Sequence, residues 1–173
     1  MTIIVDSREQ KWKHVQDGFD RLGLKWVRSK LYVGDYGRVD NLSTVIDRKQ
    51  DLQEVAGNLI QEHECFRKEC IRARDADIRL IVLIEEPGLE SVEDVKSWIN
   101  PRRGAWERIS RAHSAGRLLA TKIPKKPPVN GVTLAAIMTS MAERYGVQWM
   151  FCPRDHTAGR IADILAMEGG KNG

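Results

Sequence analysis

Three aspartates and a lysine carry most of the chemistry this sequence can offer. Asp6 closes a short β-branched run that begins at Thr2, Asp35 sits between Gly34 and Tyr36, and Asp47 lies two residues before Lys49. Alternate residues of a strand share a face, so Asp47 and Lys49 present a carboxylate beside an ammonium. Asp35 and Asp47 are twelve positions apart, and pairing of their strands makes both carboxylates converge. Converging carboxylates repel each other unless a cation holds them, and hard oxygen donors suit Mg²⁺ or Mn²⁺. A neighbouring lysine can orient or deprotonate an attacking water and steady charge that develops on a phosphate. Such an assembly suits metal-assisted hydrolysis of a phosphodiester. Taken singly, each acid is as well explained as a strand-end or turn residue, because aspartate favours turns.

The elements that must position these groups read as follows. Thr2 to Val5 is a buried strand ending in a polar cluster, and Val15, Phe19 and Leu22 recur at near-helical spacing until Gly23. Lys25 to Val33, a segment opening at Val39, and Ser43 to Arg48 after an Asp40-Asn41 turn are expected to form an antiparallel meander. From Leu52 the period changes. Leu52, Val55, Ala56, Leu59, Ile60, Phe66 and Cys70 fall on one stripe, which predicts a single long helix ending near Asp75 to Asp77. Ile78 to Ile84 reads as a strand buried on both faces. Ser91 to Ile99 is expected to be helical and Lys122 to Gly131 a proline-rich loop. Val132 to Tyr145 is a helix closed by Gly146, Val147 to Cys152 a strand, and Ala158 to Met167 a last helix before a frayed tail. The fold class is α/β, a mixed sheet flanked by helices. No linker divides the chain, so residues 1–173 are expected to be one domain, with a core at 1–86, a basic segment at 96–128 and a helix-strand-helix at 132–168.

Three blocks recur in a recognisable order. Val5-Asp6-Ser7-Arg8-Glu9, Val33-Gly34-Asp35-Tyr36 and Ile46-Asp47-Arg48-Lys49, followed by an amphipathic helix, closely resemble the XPF-type nuclease domain. Its pattern runs V-D-x-R-E, then G-D-Y, then V-E-R-K-x-x-x-D, on a restriction-endonuclease-like fold related to the PD-(D/E)xK enzymes. The likeness extends from Thr2 to about Glu86 and then fades, which suggests a small stand-alone, phage-type member without helix-hairpin-helix or helicase portions. The resemblance implies that Asp35 and Asp47 bind the divalent ion, with Asp6 completing the acidic cluster. Lys49 would be the catalytic lysine, with Arg48 its companion; Arg8 and Glu9 would form the rim, and Arg8 and Arg48 would orient the scissile phosphate. Two departures stand out. Position 47 is aspartate where the family has glutamate, and the family's downstream aspartate falls on Gln53, between Asp51 and Glu54. Aligning Gly57-x-Leu59 with the family's helix favours Glu54 as the accessory acid.

Charge is segregated along the chain. The whole carries +4 with a pI near 9.0, but Lys96 to Pro128 holds nine basic residues against Glu107. That segment is either a solvated basic surface or the footprint of a polyanion partner. Lys96, Arg102, Arg103, Arg108, Arg111, Lys125 and Lys126 are the candidate DNA-backbone contacts, and Trp98 and Trp106 among them could stack on an unpaired base or anchor the core. His63 is a candidate to face the active site or DNA, or else an ordinary helix-surface histidine. No apolar run exceeds five residues and Asp6, Arg8 and Glu9 interrupt the N-terminus, so neither a membrane span nor a secretory leader is expected. Cys65, Cys70 and Cys152 lack both disulfide and zinc spacing, and the expected location is cytoplasmic. No phosphate-cradling glycine motif occurs, which removes support for ATP-driven chemistry. The expected function is a Mg²⁺-dependent (or Mn²⁺-dependent), structure-selective endodeoxyribonuclease acting on branched or flapped duplexes in DNA repair or recombination. The alternatives are a homodimeric Holliday-junction resolvase and a non-catalytic DNA-binding module of the same fold.

Overall fold

The β-branched run at the N-terminus forms β1 (Thr2–Asp6), and the sheet grows from both of its edges. On one side β1 pairs antiparallel with β3 (Tyr36–Arg38), which pairs antiparallel with β4 (Thr44–Lys49). On the other it pairs in parallel with β2 (Lys25–Ser29). Beyond β4 come β5 (Arg79–Ile84) and β6 (Gln148–Phe151), both parallel, giving the order β2-β1-β3-β4-β5-β6. The computed structural model describes residues 1–116 and 126–167. The mixed α/β sheet is as expected, but the meander is not built from the expected segments. β1, β3 and β4 form it, with β3 ahead of the segment expected from Val39. The expected strand from Lys25 lies outside it, because α1 (Lys13–Arg21) carries the chain across a face of the sheet, and a helical crossover returns a strand in parallel.

Helices cover both faces. On one, α2 (Leu52–Ile60), α3 (His63–Asp75) and α5 (Gly131–Tyr145) bring Leu52, Leu59, Phe66 and Met138 against Val45, Leu80, Val82 and Ile84. On the other, α1 and α6 (Thr157–Met167) bring Val15, Phe19, Ile161 and Leu165 against Ile3, Val5, Ile46, Ile81 and Leu83. Each such side chain contributes roughly 1.5–3 kcal/mol by leaving water. β5 feeds both cores, as its uninterrupted apolar run requires.

Three elements differ from expectation. The long helix is two, because its apolar stripe lapses: residues 61–65, from Gln61 to Cys65, are all exposed, and nothing holds a continuous rod to the sheet there. Ser91 to Ile99 forms only a single 3₁₀ turn at Asp94–Ser97. The basic segment instead holds an unforeseen helix, α4 (Pro101–Ser114), started by Asn100, whose side chain accepts the Arg102 N–H at 3.0 Å, and by Pro101 in the first turn. No residue of α4 is buried. The expected closure of α5 is seen: Gly146 takes the left-handed conformation, φ 72°. No described helix is long and apolar enough to cross a membrane.

Candidate active site

The site begins with a glycine. Gly34 has φ 71°, and a Cβ there would lie 3.0 Å from the Ile46 carbonyl oxygen, so a side chain would be both strained and crowded. This turn delivers Asp35 to the start of β3, where its N–H donates to the Ile46 carbonyl at 2.7 Å. Tyr36 faces Ile46 and Gly37 faces Val45 in the antiparallel register, so Asp35 stands opposite Asp47. The Arg48 N–H donates to Asp35 Oδ2 at 2.8 Å. Lys49 Nζ donates to Asp47 Oδ1 at 2.9 Å, lies 2.8 Å from Oδ2, and sits 5.9 Å from the centre of the Phe66 ring.

These groups open into a cleft of about 420 Å³ lined by Arg8, Glu9, Asp35, Asp47, Lys49, Glu54 and Glu69, among others. Glu69 was not foreseen. It projects from α3, and its Oε1 accepts the Gly34 N–H at 2.9 Å, tying the helix to the turn that carries Asp35. The sequence places Glu69 outside the apolar stripe; its only signal is a position one turn after Phe66, at the stripe's edge.

The electrostatics are those of crowded acids around one ammonium. Burial, reinforced by Asp47 and Glu9, holds the Asp35 carboxyl well above the usual carboxylate range. Burial and Asp47 raise Glu69 likewise. Burial works against the Lys49 charge, but Asp47 and Asp35 outweigh it and raise its pKa above the ordinary lysine value. Cys70, under the same acids, has its thiol pushed up to about 12 by burial and by Glu69 and Asp47, which makes it a packing residue and not a nucleophile.

Two expected placements are corrected. Asp6 is not in the cleft lining. Its buried carboxylate is occupied by the Arg8 guanidinium at 2.7 and 2.9 Å, the Arg8 N–H at 2.7 Å and the Leu31 N–H at 2.7 Å, so it fixes the loop after β1 and has no free lone pair directed at Asp35 and Asp47. Arg48, between Asp47 and Lys49, points through the other face of β4, as strand parity demands. Its guanidinium is clamped by Glu9 at 2.8 Å and Glu85 at 3.2 Å with 2% exposure, so it is held inside the protein between two carboxylates.

The remaining candidates fall into place around this centre. Arg8 stands at the rim with its side chain 61% exposed while paired to Asp6. Glu54 lines the cleft and accepts the Gln50 N–H at 2.9 Å; Asp51 caps α2 by accepting the Glu54 N–H at 2.7 Å and does not line the cleft. Arg102, Arg103, Arg108 and Arg111 ride on α4. Lys96 pairs with Glu93, Arg103 pairs with Glu107 at 3.3 Å, and Lys126 is exposed. Lys125 lies outside the described residues, as do Arg117 and Lys122. Trp98 packs against the core beside α5, and Trp106 is half-buried.

The sequence model of the ERCC4 domain family matches residues 5–163. Among solved structures, XPF from Aeropyrum pernix superposes with a TM-score of 0.64 at 19% identity, over 99% of this chain and 64% of that one. XPF from Aeropyrum pernix in complex with DNA gives a TM-score of 0.61 at 18% identity, over 97% of this chain and 64% of that one. The chain therefore spans 64% of the length of these two XPF chains, and likeness at such identity is likeness of fold. No curated protein sequence matches it.

Proposed function

Because the chain belongs to the ERCC4 domain family of XPF-like DNA nucleases, we propose that it is a divalent-metal-dependent, structure-selective endonuclease that cuts branched or flapped duplex DNA. One observation carries the reading: Asp35 and Asp47 are brought face to face in a polar cleft, with the Lys49 ammonium on Asp47. Folding has forced together carboxylates that repel one another, an arrangement that a cation stabilises.

The residues fit Mg²⁺ or Mn²⁺. Among the described residues no three acids, histidines or cysteines converge tightly enough to cage an ion, but Mg²⁺ keeps several waters and is commonly held by one or two carboxylates together with substrate phosphate. Asp35 and Asp47 supply those two, and Asp47 Oδ2 accepts no well-directed hydrogen bond. Glu69 and Glu54 stand by as acceptors for ordered water. When bound, the ion would supply charge neutralisation at the phosphate and an acidified water.

The protein's own groups do the rest. Without the ion, Asp47 and Asp35 hold the Lys49 pKa above the ordinary lysine value, and Lys49 stands beside the phosphate as a hydrogen-bond donor and positive charge. Arg8, exposed at the rim, meets a neighbouring phosphate while its anchoring to Asp6 keeps it extended. Glu9 and Glu85 hold Arg48, and through it the segment of β4 that bears Asp47 and Lys49. The arginines of α4, with Lys96, Lys125 and Lys126, contact the backbone of the duplex, and such contacts position DNA without reading its sequence.

The test is cleavage of labelled flap, fork, four-way-junction and linear duplexes with and without Mg²⁺, beside Asp35→Ala. Branched substrates should be cut only with the ion, and the variant should lose at least about 10²–10³-fold in rate while retaining DNA binding. Equal cutting of linear duplex, or incision without divalent ion, contradicts the proposal.

A further inference from the structure

A second groove lies on the other flank of α3. It has a volume of about 340 Å³ where α3 meets α5, and is lined by His63 and Arg67 from the first helix and Ser140, Arg144 and Tyr145 from the second. Arg67 precedes Glu69 by two residues, and two residues turn a helix through about 200°. So α3 gives its acid to the cleft and its cations to the groove.

Charge in the groove is weakly compensated. Glu64 lies 3.6 Å from Arg67 and 3.9 Å from His63, with its side chain 67% exposed. Long, solvated pairs of that kind contribute only about 0–1 kcal/mol, and the other partner of the Arg67 guanidinium is the Tyr145 hydroxyl of the groove itself, a neutral group that does not compensate its charge. Arg144 is exposed and forms no ion pair among the described residues. Two guanidiniums beside the hydroxyls of Ser140 and Tyr145 present the donor set that phosphate oxygens accept.

We propose that this groove binds the sugar–phosphate backbone of the DNA beyond the point of incision, an inference that rests on the nuclease reading of the neighbouring cleft. The two sites are separated by one helix, about 10–12 Å across with its side chains, close to the roughly 12 Å width of the major groove of B-form DNA. Cleft and groove can thus engage phosphates on either side of one major groove, so that α3 sets the distance from grip to cut.

The experiment is fluorescence anisotropy of a labelled flap duplex over a salt series without divalent ion, which keeps binding separate from cleavage. Arg67→Gln with Arg144→Gln should lose about tenfold in affinity, and the slope of log K against log salt should become shallower by about 2, near one per phosphate contact removed. Arg67→Lys with Arg144→Lys should keep the slope. Unchanged binding by a glutamine variant with the wild-type thermal midpoint overturns the proposal. So does stabilisation by inorganic phosphate that disappears in that variant while its DNA slope stays the same, since the groove would then serve a small anion. Should the glutamine variant unfold, Ser140→Asp takes its place, and undiminished DNA binding by that variant overturns the proposal equally. Failure of the nuclease reading looks different: the slope still depends on Arg67 and Arg144, but no DNA is cut.

Discussion

Asp35 is the residue at which stability and the proposed metal chemistry are set against each other. Its raised pKa means that the folded chain keeps this proton to higher pH than the unfolded chain, whose carboxyl titrates near 3.8. Stability of the metal-free protein therefore falls as pH rises from that value through the raised one. Asp35→Asn retains an acceptor for the Arg48 N–H but carries no charge. It should be more stable than wild type at pH 7 by roughly 0.5–2 kcal/mol, converge with it near pH 4, and be inactive; urea melts across pH beside a cleavage assay check this. Asp6 has the opposite sign. Burial opposes its charge, but the Arg8 guanidinium and the Leu31 and Arg8 N–H groups outweigh that and hold its pKa below the ordinary value. Its contribution is present in full above about pH 4 and lost as pH falls through the folded value. Asp6→Ala, which strands the Leu31 N–H, should cost about 1–3 kcal/mol at pH 7 and progressively less below pH 3.8. A pH-independent cost would show that Asp6 acts by shape alone.

At the scale of elements, β4 works as a two-sided part. One face presents Asp47 and Lys49 to the cleft, and the other sinks Arg48 among Glu9 and Glu85. Glu85 is fully buried at the end of β5 and ties three more elements together. Its Oε1 meets His14 of α1 and accepts the Thr157 hydroxyl of α6 at 2.9 Å, while its N–H donates to the Lys49 carbonyl at 2.9 Å. Removing one partner of a buried ion pair leaves the other uncompensated. Glu85→Ala should accordingly destabilise the fold by about 3–5 kcal/mol, measured by urea unfolding, and Glu85→Gln by less because its amide still meets Thr157. The motif V-D-x-R-E and the motif D-R-K are thus joined through Glu9 and Arg48, a link that spacing alone does not disclose.

At the scale of the whole molecule, basic charge is carried by a helix that leaves no residue buried. α4 projects Arg102, Arg103, Arg108 and Arg111 without a core of its own, so its cost in stability is low and its value lies in what it touches. Replacing these four arginines by glutamine should leave the thermal midpoint within about 2 °C. It should also make the salt dependence of DNA binding shallower by about 3 to 4 in log–log slope. An unchanged slope would show that α4 does not meet DNA.

What the sequence determined by itself is local. β-branched runs, capping residues and apolar periodicity marked β1, β5, α5 and α6, and strand parity, a property of the chain alone, put Asp47 and Lys49 on one face. The strand expected to bring Asp35 to them runs beside β1, and it is β3, just after Asp35, that pairs with β4. The helical crossover that sets β2 parallel, the break between α2 and α3, and α4 escaped that reading. So did Glu69 as a cleft acid, Glu85 as the partner of Arg48, and the withdrawal of Asp6 to Arg8 and Leu31. Each depends on which distant surface a segment meets: Glu69 reaches Gly34 across 35 positions and Glu85 reaches His14 across 71. Those meetings are settled by packing two helical layers onto one twisted sheet, and no local pattern encodes them.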